Sequence, residues 1–160
     1  FFIENTPTDG IPHWDTGAPG LSQLGNYLDR TSEPFNDHEP IDSSSAAIAA
    51  QGLLRLGHFL RGQDDNLAAR YWQAGLTTAQ SLLAEPYLRT DENHQGLLLH
   101  TIYHQPRGWD HVPEGSKIPH SESCMWGDYH LRELALYIQR VASESRPYYS
   151  FFGPTESAIR

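Results

Sequence analysis

Two stretches without hydrophobic periodicity, residues 1–42 and 87–123, take up nearly half of this chain and constrain any fold it can adopt. Structureless loops beyond about 12 to 15 residues are rare in compact domains and are usually functional. Only three segments carry a helical repeat. The first spans about 44–61, where Ala49, Leu53, Leu56 and Leu60 recur at i, i+4, i+7 and i+11, and Ala46, Ala50 and Leu54 widen the stripe. Asp42 or Ser43 suits its N-cap, and Gly62 suits the position just past its end. The second spans about 65–84, opened by Asp64 and stopped before Pro86, with Ala68, Trp72, Ala79 and Leu82 or Leu83 as its face. So short a link, Gly62-Gln63-Asp64, makes the two an antiparallel pair. The third spans about 125–142, with Leu131, Leu134, Ile138 and Val141 as one stripe and Trp126, Tyr129, Glu133 and Tyr137 as another. Small residues crowd the first helix (Ala46, Ala47, Ala49, Ala50, Gly52, Gly57), which implies close neighbours on more than one side.

Three helices do not easily cover that much loop, so the chain reads as part of a larger all-α fold. A start at Phe1, with no signal-like head, reads as that of a processed or partial chain. The expected division is a helical unit over residues 1–142 and an aromatic tail over 143–160, whose Tyr148, Tyr149, Phe151 and Phe152 need a surface made by something else. Cys124 is the lone cysteine, so no internal disulfide supports the fold. No apolar run approaches the roughly 20 residues of a membrane span.

The net charge is −9, and its placement is uneven. Residues 1–42 hold eight acids (Glu4, Asp9, Asp15, Asp29, Glu33, Asp37, Glu39, Asp42) against the single base Arg30. An acidic chain without a basic stripe is a poor partner for nucleic acid or an anionic membrane surface. An anionic ligand would need a local set of His and Arg to hold it against the global field.

Four segments are candidates for chemistry. Asp9-Gly10-Ile11-Pro12-His13-Trp14-Asp15 is either a surface turn with one packed indole or a sugar platform, where Trp14 stacks on a ring and a carboxylate accepts from hydroxyls. Asp42-Ser43-Ser44 at a helix start is a cap first, and an anion site second. In Gly96-Leu97-Leu98-Leu99-His100-Thr101-Ile102-Tyr103-His104, the two histidines lie four apart on one face. A metal pair is thus geometrically possible, but no third ligand stands at a recognisable spacing and HExxH is absent. Imidazoles bonded to a substrate or to buried backbone fit better. Cys124-Met125-Trp126-Gly127-Asp128-Tyr129 opens the last helix; Asp128 suits the helix dipole, Gly127 admits a close neighbour, and Cys124 reads as a buried thiol.

Taken in order, Asp9–Asp15, Asp42–Leu54, Gly96–Tyr103 and Trp126–Tyr129 resemble the C-terminal part of the unsaturated glucuronyl hydrolases, glycoside hydrolase family 88. The resembling patterns are D-G-x-P-x-W-D, D-[ST]-S-A-A-x-I-A-A-x-G-L-L, G-x-L-L-H-x-x-Y and W-G-D-Y. The resemblance implies an all-α fold, part of an (α/α)6 barrel, of which this chain supplies the last third to two-fifths. It implies hydration of the C4–C5 double bond of an unsaturated uronic acid at the non-reducing end of lyase-generated oligosaccharides, without metal or organic cofactor. The family's two catalytic aspartates lie upstream of the matched region, and Asp9, Asp15, Asp42 and Asp128 do not match them. The implied partners are therefore the oligosaccharide and the N-terminal remainder of the barrel.

What this chain would contribute is a wall of the site: His100 and Tyr103 near the uronate, Trp126 and Trp14 as packing or platform, and the 108–123 loop near the next sugar. His100 follows three leucines, which places its imidazole at an expected mouth of the site. Ser116 and Lys117 stand in the loop where some relatives bind sulfate, at a different spacing. Two other readings remain open on sequence: a non-catalytic sugar-binding or structural remnant, and a relative of the unsaturated rhamnogalacturonyl hydrolases, against which W-G-D-Y argues.

Overall fold

The computed structural model describes residues 1–143. Three helices carry the architecture: α1 (Ser43–Phe59), α2 (Asp65–Leu82) and α3 (Met125–Ser143). All three fall where the periodicity puts them. No strand occurs among the described residues; the two loops hold short 3-10 turns and two isolated antiparallel bridges, His13 with Ile41 and Leu88 with Leu98. α3 is described to Ser143, where the described residues end, so the expected aromatic tail over 143–160 lies outside them but for its first residue. No helix among the described residues is long and apolar enough to cross a membrane.

α1 is the central element, packed against α2 on one side and α3 on the other. Its buried residues are Ser43, Ser44, Ala46, Ala47, Ala50, Leu54 and Gly57. Ala46, Ala47, Ala50 and Leu54 join Ala79 and Leu82 of α2, Leu131, Leu134 and Tyr137 of α3, and Ile11, Ile41, Tyr87 and Leu98 from the loops in one core. The core face of α1 is therefore the stripe through Ala46, Ala50 and Leu54. The stripe through Leu56 is only partly covered, and Leu56 remains exposed. Small residues explain both neighbours. A Cβ on Gly57 would stand 2.8 Å from the Trp72 backbone nitrogen and 2.9 Å from the Ala68 carbonyl oxygen, so α1 and α2 meet main chain to main chain. A Cβ on Gly75 would meet the Leu54 side chain at 2.7 Å.

Both N-termini of the hairpin helices are capped. Asp42 accepts from the Ser44 amide at 3.0 Å and Asp64 from the Leu67 amide at 3.0 Å. Gly62 takes the left-handed φ of +76° that the turn between α1 and α2 needs. On the outer side, Ile48, Leu56 and Phe59 of α1 stand exposed along one face, together with Tyr129 and Leu136 of α3.

Candidate functional site

Carboxylates tie the aperiodic segments to the helices. Asp128, in the first turn of α3, accepts from the amides of Leu97 and Leu98 at 2.9 Å each. Asp42 accepts from the Ser44 amide and hydroxyl and from the Ile102 amide at 3.3 Å. Asp110 accepts from the amides of Tyr103 and His104. Asp9 holds Ile11 and Ser32, and the buried Glu39 holds the Trp14 indole and the Gly20 amide, both at 2.7 Å. Each acid satisfies backbone or indole donors that a loop would otherwise leave to water.

These ties bring the 100–104 segment across the N-termini of α1 and α3. The Ser43 amide donates to the His100 carbonyl, and the Thr101 amide to the Glu122 carbonyl. A Cβ on Gly127 would stand 2.9 Å from the Thr101 methyl and 3.3 Å from Ser44 Cβ, so glycine is what lets α3 close on both. At this junction the aromatic rings gather. Trp126 is half-buried and donates from its indole to Ser44 Oγ at 3.2 Å. Tyr103 lies against it with ring centroids 5.3 Å apart, and Trp109 lies against Tyr103 at 5.8 Å, each pair tilted by 33°. His104 packs on Trp109 at 5.1 Å, and the Arg107 guanidinium sits over the same indole at 5.3 Å. Tyr103 is 56% exposed and Trp109 57%. Large rings are thus left open on a segment that is well tied to the helices.

His100 is elsewhere than expected. It is 1% exposed, not at a mouth. Its ring lies among Phe35, Tyr87 and His120, with centroids at 5.1, 5.8 and 6.2 Å. Nδ1 accepts from the Ser121 amide at 3.1 Å, which leaves Nε2 as the protonated nitrogen that donates to the Pro86 carbonyl. Both nitrogens are thus used on backbone, and no uronate can reach them in this arrangement. Its φ of +63°, in the left-handed region, turns the chain from the leucine run into the Tyr103 segment. His104 faces Trp109 instead, so the two histidines do not form a metal pair; no cluster of three metal-ligating side chains occurs among the described residues.

Burial, reinforced by the nearby His120, pushes the His100 pKa down to about 4. Burial likewise lowers His13, whose Nδ1 lies 3.2 Å from the Pro40 carbonyl oxygen. The folded chain keeps His100 neutral, whereas the unfolded chain takes up a proton near pH 6.5. More protons bind to the unfolded state between these values, so stability is full above about pH 6.5 and falls towards pH 4. From His100 alone the loss approaches about 3 kcal/mol, at 1.36 kcal/mol per unit. Urea midpoints measured from pH 7 to pH 4 should decline accordingly; a flat profile would show that His100 is open to protonation in the fold.

The remaining expected residues lie apart from the ring stack. Trp14 belongs to a second small cluster with Ala18, Leu21 and Leu24, and its indole is occupied by Glu39, which fits the packed-indole reading of its segment. Ser116 bonds His120 Nε2 at 2.8 Å, and the exposed Lys117 pairs with Asp37 at 2.8 Å. Cys124 is half-buried with its thiol pKa pushed up by burial, which makes it a poor nucleophile. Arg107 and Trp109 join the ring cluster from outside the four candidate segments. Their only signal was an Arg-Gly-Trp-Asp run inside a loop without periodicity.

No protein-family model matches the chain, and no curated protein matches it. Solved structures do. Over 88% of its length the chain superposes, with a TM-score of 0.61 and 28% identity, on 30% of the unsaturated glucuronyl hydrolase responsible for glycosaminoglycan degradation from Bacillus sp. GL1. It superposes over 86%, with a TM-score of 0.59 and 24% identity, on 30% of the unsaturated glucuronyl hydrolase from Streptococcus agalactiae. A third, an unsaturated glucuronyl hydrolase specific for heparin, matches at 20% identity and a TM-score of 0.61. A further match with 28% identity is a variant structure with dGlcA-Glc-Rha-Glc. The chain spans about 30% of the length of these structures, and its helices correspond to part of their helical toroid. The resemblance read from four sequence segments is thus matched by the fold.

Proposed function

We propose that this chain forms the C-terminal wall of an unsaturated uronyl hydrolase, acting on the unsaturated uronic acid at the non-reducing end of lyase-generated oligosaccharides. The observation that carries this reading is the open ring stack of Tyr103 and Trp126, set at the junction of α1 and α3 in a chain whose fold matches about 30% of an unsaturated glucuronyl hydrolase. In the reaction a carboxylic acid delivers a proton to C4 and a carboxylate draws a proton from the water that attacks C5. The hydrated ring then opens and expels the neighbouring sugar. Asp9, Asp42 and Asp128 accept from loop amides, and in this reading the acid and base come from the remainder of the barrel. This chain positions: Trp126 is held by Ser44, and Tyr103 by the Asp110 tie, so the rings present a fixed surface to the sugar. Ser116 and Lys117 border the next sugar, where Lys117 would exchange its exposed partner Asp37 for an anion.

The test compares the 160-residue chain with a longer product that includes its own upstream coding sequence. Both are assayed by loss of the absorbance of the 4,5-double bond in an unsaturated disaccharide. The expected result is turnover by the longer product only. Turnover by the chain alone, above a heat-killed control, or an inert longer product would overturn the reading.

A further inference from the structure

We infer that the loop from His104 to Trp109 is an outer subsite for an acidic pyranose ring, with Trp109 as the stacking surface and Arg107 as the partner of the acid group. The inference rests on the reading of this chain as a sugar-site wall and extends it to a ring beyond the bond that breaks. Trp109 continues the stack outward from Trp126 through Tyr103, yet keeps 57% of its surface open. An indole costs free energy when left in water, and a loop that merely connected two helices would place polar residues there. This loop is also set in shape. Pro106 lies in the helical turn Gln105–Arg107, Gly108 adopts a left-handed φ of +62°, and Asp110 ties back the amides of Tyr103 and His104.

The charge arrangement selects the ligand. Asp110 spends both oxygens on those amides, while Arg107, exposed, lies with its guanidinium 5.3 Å from the Trp109 ring centre. Stacking uses the face of a guanidinium and leaves its in-plane N–H groups to fork onto a carboxylate. In a chain of net charge −9, a cation held beside an open indole gives an acidic sugar a local foothold that the overall field denies it. The C–H face of the ring meets Trp109 and its carboxylate meets Arg107.

Saturated hyaluronan hexasaccharide, which carries a uronate on alternate rings, and neutral chitohexaose are titrated into the 160-residue chain and into the longer product, followed by tryptophan fluorescence. At low salt the acidic ligand should bind about fivefold or more tighter than the neutral one, a preference of the size a charge-assisted contact gives. Arg107→Gln should abolish that preference, and Trp109→Ala should weaken the acidic ligand about tenfold, while Trp109→Phe retains most of the affinity. Unchanged affinity in Arg107→Gln or Trp109→Ala, or no preference in the parent, overturns the subsite. Should Trp109→Ala melt early, Arg107→Gln, which alters only an exposed side chain, carries the test. A saturated ligand cannot be hydrated, so its binding survives if the hydrolase reading fails. Conversely, turnover of an unsaturated disaccharide survives if only the outer subsite is wrong.

Discussion

Replacing His100 with alanine should lower the stability of the chain by about 3 to 5 kcal/mol, the cost of a buried cavity added to two stranded backbone partners. The side chain is 1% exposed and fills the space between Phe35, Tyr87 and His120. Its removal leaves the Ser121 amide without an acceptor and the Pro86 carbonyl without a donor. The left-handed φ of +63° adds a second signature. Alanine keeps the backbone strain, whereas His100→Gly relieves it by about 1 kcal/mol, so glycine should be the milder substitution despite losing the same bonds. Chemical denaturation of the two variants measures both effects. In the longer product, His100→Ala should leave the Michaelis constant for the unsaturated disaccharide unchanged at a temperature where the variant is folded. A raised Michaelis constant with little lost stability would return His100 to the site.

That outcome bears on what the sequence could and could not disclose. The three helices were legible because each has a period of 3.6 and a buried apolar face, and the first two have a capping acid as well. The exact face of α1 was less so. Ala49, Leu53, Leu56 and Leu60 form as good a stripe as Ala46, Ala50 and Leu54, and only the close approach of α2 at Gly57 selects the second. The four motifs were legible as recognition marks, and the structure gives a physical reason for much of their content. Asp9, Asp42 and Asp128 tie loops, Gly127 admits Thr101 and Ser44, and Trp126 rests on Ser44.

What stayed hidden was the direction of side chains in the aperiodic half. A strand or helix fixes which residues share a face, but a loop does so only through distant partners such as Asp110 with Tyr103 or Glu122 with Thr101. His100 and Tyr103 are three residues apart in sequence, yet one is sealed in and the other is 56% exposed. The positive φ at His100 turns the chain between them, and no periodicity announces it.

Asp128→Ala should be comparably damaging, by about 3 to 5 kcal/mol, because one carboxylate holds two amides and the hydrogen bonds are charge-assisted. Oδ1 accepts from both Leu97 and Leu98, and Oδ2 adds a contact to Leu97 at 3.0 Å. Leu98 is fully buried in the main core, so its amide has little access to water once the carboxylate is gone. The charge also sits in the first turn of α3, where it favours the helix dipole by a further 0.3 to 1 kcal/mol, roughly. Asp128→Asn separates these contributions: the amide keeps one acceptor oxygen but no charge, so about half of the loss should return. The consequence should reach the ring stack as well. Asp128 fixes the start of the segment that ends at Tyr103, and Gly127 seats α3 against Thr101 within that same segment. In Asp128→Ala the tryptophan emission should therefore shift to the red before global unfolding begins, as Trp126 and Tyr103 lose register. A variant that loses less than about 1 kcal/mol, with unshifted emission, would mean that the leucine run is held by burial alone and that the aspartate serves only the helix terminus.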